Sequence, residues 1–263
     1  MKNFHSHTTF SDGQNTAEEM IEEAIKQGVK TLAITDHHKW PDGFSNEAMD
    51  FYNDENHSHL MLLKKRYAGK INLLVGVELD WFKDFKDKLV EQANRRHYDH
   101  KIISVHKLKI EDKYEPIDYT PEYFDSIVER AGGIEKLVRM YYSEMRKAVR
   151  LGLFNAVGHL DLIKIYNKGS RLFSDKEDWY RQEVMKTLEV ISIQRGLAVE
   201  INTSGFRKTC GEQYPADWII EEAKKMRIPL ILSTDAHHKD HIAFRLKEME
   251  EKINQLQLME QNV

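Results

Sequence analysis

Short apolar segments alternate with amphipathic helical segments along this chain, and this alternation limits it to a parallel α/β architecture. Strands are predicted at the N-terminal segment that contains His5 and His7, and at residues 31–35, 71–77, 101–105, 156–158, 197–201 and 229–233. Helices are predicted at residues 17–27, 54–68, 85–96, 124–130, 133–151, 178–195, 215–226 and 240–258. A polar segment, residues 107–123, is expected to cross the surface of one face. At 263 residues a closed α/β barrel is favoured over an open sheet, and residues 1–263 are expected to form one domain.

Polar residues suited to metal or anion binding follow every predicted strand. They are His5, His7, His37, Glu78, His106, His159, Asn202, Arg207, Asp235 and His237. The carboxyl ends of the strands in a parallel barrel meet on one face, where barrel enzymes hold their active sites. The turn Ser11–Asp12–Gly13 can return a further carboxylate, Asp12, toward the first two histidines. Six histidines and three carboxylates are too many ligands for one ion, so two or three divalent ions that share a carboxylate are predicted.

Clustered divalent ions favour phosphoester hydrolysis, because they neutralise charge on a phosphoryl group and generate hydroxide at neutral pH. Amide hydrolysis or deamination on a metal-containing barrel is the alternative that the residues leave open. The net charge of −4 argues against a broad nucleic-acid surface. No apolar run reaches the ~18 residues of a membrane helix, and no signal-peptide pattern is present. The single cysteine, Cys210, fits a reducing cytoplasm.

The motifs resemble those of the PHP (polymerase and histidinol phosphatase) superfamily over nearly the whole chain. They are His5-Ser6-His7, Ser11-Asp12-Gly13, Ile34-Thr35-Asp36-His37, Gly76-Val77-Glu78, Ser104-Val105-His106, Gly158-His159-Leu160-Asp161 and Ser233-Thr234-Asp235-Ala236-His237. Glu78-Leu79-Asp80, residues 104–108, 158–164 and 200–208, and Tyr214-Pro215 resemble the histidinol-phosphate phosphatases most closely.

The resemblance implies a distorted TIM-like (β/α)7 barrel with a trinuclear centre of divalent ions such as Zn, Mn or Fe. It implies one ion on His5, His7, Glu78 and Asp235, a second on Glu78, His106 and His159, and a third on Asp12, His37 and His237. Family members often have His at the position of Asp12, so the third ion is the least determined of the three. The implied reaction is hydrolysis of L-histidinol phosphate to L-histidinol and phosphate in histidine biosynthesis.

In the hypothesis that follows, a hydroxide that bridges two ions attacks phosphorus in line. Arg207 is the first candidate to bind the non-bridging oxygens with its bidentate fork, and Lys164 and Lys208 are weaker candidates. Asp161 or His38 is expected to protonate the leaving alkoxide.

Asp161 has an alternative role, which is to orient His159 as a metal ligand. Asp80 or Glu111 is the candidate partner of the substrate's ammonium group.

Two other functions stay open at this point. One is a PHP phosphoesterase that acts on nucleotides or nucleic-acid 3′ ends, and the other is a metal-bound regulatory module without turnover. The expected partner is a small phosphomonoester, with no nucleic acid and no membrane, and the sequence predicts no oligomeric state. His57, His59, His97 and His100 are expected at the surface or at helix caps. Trp40, Trp81, Trp179 and Trp218 are expected in packing positions, and their alternative role is to line a pocket for an imidazole ring.

Overall fold

A computed structural model of the chain describes residues 1–38, 40 and 52–260. The strands in these residues are β1 (Lys2–Asn3), β2 (Thr31–Ile34), β3 (Asn72–Asp80), β4 (His100–Ser104), β5 (Lys107–Ile110), β6 (Lys113–Pro116), β7 (Ala156–Val157), β8 (Ala198–Asn202) and β9 (Leu230–Ser233). The helices are α1 (Ala17–Lys26), α2 (Asp54–Arg66), α3 (Lys86–Arg95), α4 (Pro121–Arg130), α5 (Ile134–Val149), α6 (Asp178–Ser192), α7 (Asp217–Lys225) and α8 (Leu246–Glu260).

Seven parallel strands form one sheet in the order β1-β2-β3-β4-β7-β8-β9. The first and last strands meet just beyond their ends, because Phe4 N donates to Leu232 O at 3.0 Å and Asp235 N donates to His5 O at 3.0 Å. The seven strands thus form a nearly closed barrel with intervening helices, which confirms the predicted distorted TIM-like (β/α)7 fold.

Helix α1 shows how local sequence places the outer layer on the barrel. Thr16 and Glu19 form a reciprocal capping box at its start. Met20, Ile21 and Ala24 have the spacing of one helix face, and all three are fully buried. The apolar face of this helix therefore packs against the sheet while its acidic residues stay outside. None of the described helices is long and apolar enough to cross a membrane.

Residues 107–116 form a hairpin rather than the surface crossing predicted for this segment. Strands β5 and β6 pair in antiparallel register, with Lys107 opposite Pro116 and Ile110 opposite Lys113. Leu108 and Ile110 alternate with lysines and are buried, so the hairpin has one apolar face.

Two further predictions are wrong. The last helix begins at Leu246 instead of residue 240, because Lys239–His241 forms a short 3-10 turn and Arg245 has a positive φ of 54°. His100, predicted at the surface or at a cap, lies in β4 with 6% of its surface exposed and its ring 5.5 Å from Phe4. Burial lowers the pKa of His100 to about 4, so its ring is neutral at pH 7.

Candidate metal centre

The residues predicted as metal ligands lie together at the carboxyl ends of the barrel strands. His5 and His7 flank Ser6, which forms a parallel bridge with Ala236 across the barrel closure. Extended backbone sends alternate side chains to the same side, and the two Nε2 atoms lie 3.0 Å apart. The hydroxyl of Ser6 points elsewhere and donates to Ala33 O at 2.7 Å. The H-x-H spacing thus aims both imidazoles into the barrel mouth.

The first group of donors consists of His5, His7 and Asp235. Asp235 Oδ1 lies 3.3 Å from His7 Nε2 and 3.7 Å from His5 Nε2. Glu78 Oε2 adds a further oxygen, 3.2 Å from His5 Nε2 and 3.4 Å from His7 Nε2.

The second group consists of Glu78, His106 and His159. The Nε2 atoms of His106 and His159 are 3.1 Å apart, and Glu78 Oε1 lies 3.2 Å from His159 Nε2. Ser104 donates its hydroxyl to the same oxygen at 2.5 Å. Glu78 therefore turns one oxygen to each of the first two groups, as a bridging carboxylate does.

The third group consists of His7, Asp12, His37 and His237. Asp12 Oδ2 lies 3.1 Å from His237 Nε2 and 3.9 Å from His37 Nε2, and the rings of His7 and His237 stack at 4.2 Å. The side chains of Asp12 and His237 are 33% and 35% exposed, so this group is the most open of the three.

These distances fit divalent ions. Two donors that each lie about 2.1 Å from one ion are separated by roughly 3.0–3.4 Å at coordination angles of 90–109°. Most of the donor separations within the three groups fall in or near that interval. The imidazole and carboxylate donors are also the types that Zn, Mn and Fe accept in proteins. The residues present therefore fit a divalent metal centre.

The charged residues of the cluster shift one another's pKa values strongly. Burial raises the pKa of Glu78, but the adjacent His5, His37 and His106 outweigh burial and hold that pKa well below its usual range. Burial lowers the pKa of His106, yet Asp80 and Glu78 outweigh it and raise the pKa to about 9. The cluster thus keeps its carboxylates ionised and ready to bind cations.

Glu200 is a supporting residue that the sequence analysis gave no role of its own. It is fully buried, and its Oε1 lies 2.7 Å from His5 Nδ1. Its Oε2 accepts from the backbone N–H of His159 at 2.7 Å and from Asn202 Nδ2 at 3.1 Å. The one signal available was a carboxylate in the middle of a predicted buried strand, which needs compensating partners.

Asp36 supports the N-terminal turn in the same way. It accepts from the backbone N–H of Thr8 at 2.7 Å, from the Thr8 hydroxyl at 2.9 Å and from the Ser11 hydroxyl at 2.7 Å. These bonds fix the turn that carries Asp12.

A cavity of about 490 Å³ opens above the donor groups. Besides the donor His237, the loops after β8 and β9 contribute four basic or imidazole side chains to its wall, Arg207, Lys208, His238 and His241. Trp40, Lys107, Pro116 and Asp118 line it from the side of β4 and the hairpin. Trp40 therefore takes the alternative role of a pocket residue, whereas a packing position was the favoured prediction.

The guanidinium of Arg207 is held through one of its two terminal nitrogens. Nη2 donates to the carbonyls of Thr234 and Asp235 at 2.8 and 3.2 Å. Nη1 is buried and has no hydrogen-bond partner among the described residues.

Two of the predicted catalytic and substrate-binding residues lie beneath the cavity wall instead of in it. Lys164 Nζ is 2.9 Å from Asp161 Oδ2 and donates to Gln213 O at 3.0 Å. The same Asp161 oxygen accepts from the backbone N–H of Ala216, and both side chains are buried. Burial raises the pKa of Asp161. This pair ties the loop before α7 to the segment after β7.

Three other predicted residues also make their contacts outside the open space of the cavity. His38 is buried with Nε2 3.3 Å from Arg96 Nη1. Glu111 is exposed and lies 3.4 Å from Arg130. Asp80 contacts His37, His106 and Trp40 rather than the open space, and with the two histidines it forms a fourth group of possible metal donors.

Comparison with known proteins agrees with this architecture. A PHP domain family model matches residues 3–204. The chain is 31% identical over 257 residues to a histidinol-phosphatase of Bacillus subtilis, covering 91% of this chain and 94% of that protein. It is 30% identical over 254 residues to a probable histidinol-phosphatase of Deinococcus radiodurans, covering 95% and 91%.

Two solved structures share the fold. The putative histidinol phosphatase hisK from Listeria monocytogenes superposes with a TM-score of 0.81 at 23% identity, over 93% of this chain and 98% of that one. Histidinol phosphate phosphatase from Lactococcus lactis, complexed with Zn, L-histidinol and phosphate, gives a TM-score of 0.76 at 22% identity, over 97% and 93%.

Proposed function

This chain belongs to the histidinol-phosphatase family of PHP-domain proteins, and on that premise we propose that it is a metal-dependent phosphomonoesterase that hydrolyses L-histidinol phosphate to L-histidinol and phosphate. The observation that carries the proposal is the three adjoining groups of imidazole and carboxylate donors beneath a cavity whose wall holds Arg207.

Divalent ions bind at these donor groups, and we propose two to three of them. Zn²⁺ is the first choice among Zn, Mn and Fe, because the Lactococcus lactis relative was solved with Zn and the donors suit it. The third group holds its ion most weakly in this proposal, since Asp12 and His237 are each about one-third exposed. When bound, the ions supply positive charge to the phosphoryl oxygens and acidify water.

Different residues of the cavity wall bind the phosphoryl group and the ammonium group of the substrate in this proposal. Arg207 directs Nη1 at a non-bridging phosphoryl oxygen, and Lys208 adds positive charge beside it. Asp118, which follows the hairpin, meets the ammonium group of histidinol. Asp118 lines the cavity and adds to the field that raises the pKa of His106, whereas Asp80 and Glu111 are turned elsewhere.

The leaving alkoxide takes its proton from the His238–His241 pair in this proposal. Among the described residues that line the cavity, these are the two histidines outside the three donor groups. Their rings lie 6.0 Å apart. Asp161 and His38 were the earlier candidates, but their contacts lie beneath or beside the cavity.

Phosphate release from a small panel tests the proposal. The panel contains L-histidinol phosphate, nucleoside monophosphates and a short oligonucleotide, each with Zn²⁺ or Mn²⁺. A kcat/KM for L-histidinol phosphate at least a hundredfold above the others is expected. Comparable rates would leave a general PHP phosphoesterase, and ion binding without turnover would point to a regulatory module.

We further propose that residues 1–263 act as one domain in the cytoplasm, where the single Cys210 stays reduced.

A further inference from the structure

Asp80 stands at the junction of two donor groups and the cavity wall. Its Oδ2 accepts from the indole N–H of Trp40 at 2.6 Å and lies 3.2 Å from His37 Nδ1. Its Oδ1 is in hydrogen-bond contact with His106 Nδ1. The carboxylate is buried, with 3% of its side chain exposed.

His106 turns Nδ1 to Asp80 and Nε2 to a donor group, whereas His37 turns Nδ1 to both Asp80 Oδ2 and Glu78 Oε2, at 3.2 and 3.3 Å. His106 Nε2 faces His159 Nε2 at 3.1 Å, and His37 Nε2 faces Asp12 Oδ2 at 3.9 Å. A histidine binds a metal through one nitrogen, and the partner of its other nitrogen fixes both the tautomer and the ring orientation.

We propose that Asp80 is a positioning residue that sets His37 and His106 as metal ligands and connects both to Trp40 in the cavity wall. The proposal rests on the proposed function, because it takes the donor groups to bind divalent ions. It replaces the role of substrate contact that the sequence suggested for Asp80.

The chemistry of the side chain fits this role. The imidazole of His106 hydrogen-bonds one oxygen of the carboxylate and the indole N–H of Trp40 the other, so the site needs acceptors on both oxygens. An ionised carboxylate is acceptor-only, whereas the isosteric amide of asparagine must present one N–H₂ group. Trp40 Nε1–H or one of the histidines would then face a donor.

A direct metal-ligand role for Asp80 is the alternative, because His37, Asp80 and His106 form a group that could itself hold an ion and His37 Nδ1 lies 3.2 Å from Asp80 Oδ2. The contact with His106 argues against it. Two donors of the same ion stand roughly 3.0–3.4 Å apart. His106 Nδ1 and Asp80 Oδ1 are closer than that, at hydrogen-bond contact. The His106 nitrogen that faces the other donors of its group is Nε2.

The connection through Trp40 gives the inference a consequence for substrate binding. Trp40 lines the cavity, its ring lies 6.0 Å from the ring of His37, and Lys107 Nζ is 4.1 Å from its centroid. Trp40 donates to the same Asp80 oxygen that faces His37. A displacement of Trp40 in the cavity wall would therefore alter the contact between Asp80 and His37.

Zn²⁺ binding by the full chain tests the inference. The chain is stripped of metal, and Zn²⁺ affinity and stoichiometry are measured by competition with a chromophoric chelator for the native protein, Asp80→Asn and Trp40→Phe. Asp84→Asn is the matched control, because that carboxylate is exposed and bonds Lys109 at 2.8 Å. Affinity is expected to fall about 10- to 100-fold in Asp80→Asn, less in Trp40→Phe and not in the control, with stoichiometry preserved at saturating Zn²⁺.

The outcomes separate the alternatives. Loss of one equivalent at saturating Zn²⁺ would make Asp80 a direct ligand and overturn the proposal. Unchanged Zn²⁺ affinity with a raised KM for L-histidinol phosphate would make it a substrate contact and also overturn it. If Asp80→Asn does not fold, unchanged Zn²⁺ affinity in Trp40→Phe overturns the link to the wall. A native protein that binds Zn²⁺ but releases no phosphate refutes the proposed function while the affinity comparison still decides the inference.

Discussion

Replacement of Arg207 by alanine is the sharpest test of how the cavity binds phosphate. One guanidinium nitrogen, Nη2, is already committed to the carbonyls of Thr234 and Asp235, and these bonds fix the plane of the fork. The other, Nη1, is buried without a partner among the described residues. Burial lowers the pKa of Arg207, but an arginine stays charged near neutral pH.

The size of the expected loss in kcat/KM follows from Nη1, a buried donor without a hydrogen-bond partner among the described residues. A buried donor without a partner costs about 1–3 kcal/mol, and a hydrogen bond to a charged group contributes about 1.5–3 kcal/mol. A phosphoryl oxygen that accepts from Nη1 recovers both, most strongly as charge builds in the transition state. Loss of one such donor costs about 2–4 kcal/mol, so kcat/KM of Arg207→Ala is expected to fall about 30- to 1,000-fold. Arg207→Lys keeps the positive charge but not the bidentate fork, so its kcat/KM is expected to lie between those of the native protein and Arg207→Ala.

Steady-state kinetics on L-histidinol phosphate at saturating Zn²⁺ measures this effect, with inorganic phosphate as a competitive inhibitor. Arg171→Ala is the matched control, because Arg171 forms a surface pair with Asp125 at 2.8 Å. Zn²⁺ content of each variant shows whether loss of the two carbonyl contacts has disturbed the loop that carries Asp235. A kcat/KM within twofold of the native value, with normal Zn²⁺ content, would refute the reasoning.

Three further changes have expected outcomes. Glu200→Gln leaves either His5 Nδ1 or the N–H of His159 facing an amide N–H₂ group. Zn²⁺ affinity, measured by chelator competition, is therefore expected to be about 10- to 100-fold weaker. An affinity equal to that of the native protein would contradict this. In Gly158→Ala the new Cβ meets the Ser104 hydroxyl that holds Glu78, so urea unfolding of the metal-free chain is expected to show about 1–3 kcal/mol less stability, whereas an unchanged midpoint would show that the site relaxes freely. Burial holds the pKa of His100 at about 4 against 6.5 in the unfolded chain, so the unfolded state binds more protons and stability falls as pH drops from 6.5 toward 4. His100→Phe is expected to remove about 2 kcal/mol of the loss between pH 7 and pH 5 in urea unfolding, and an identical pH dependence would show that the ring is not neutral and buried.

The barrel could be predicted from the sequence because its strands are buried on both faces and therefore appear as continuous apolar runs. The hairpin formed by β5 and β6 was missed, since its alternating lysines resemble a solvated loop when the apolar surface that covers Leu108 and Ile110 is unknown. The position of His100 inside β4 was missed for a related reason. Its polar side chain carries no sign that Phe4, from the start of the chain, packs against it.

The residues of the donor groups were predicted at strand ends, and they lie close together because the strand ends of a parallel barrel share one face. The residues around them did not follow from the pattern. Asp80 is two residues beyond Glu78 and Asp161 two beyond His159, yet Asp80 contacts two predicted ligands while Asp161 pairs with Lys164 under the wall. Sequence spacing gives the strand end, but the direction of a side chain beyond it depends on packing from distant elements.

The seam between β1 and β9 bears on how the chain is made. Asn3 donates to Thr234 across it at 2.8 Å, a contact between residues 231 positions apart. At about 5–20 residues per second, a ribosome needs roughly 10 to 50 seconds to deliver the second partner after the first. His5 and His7 are therefore synthesised well before Asp235. The first donor group, which we propose binds an ion, is therefore complete only after the segment beyond β9 has been synthesised.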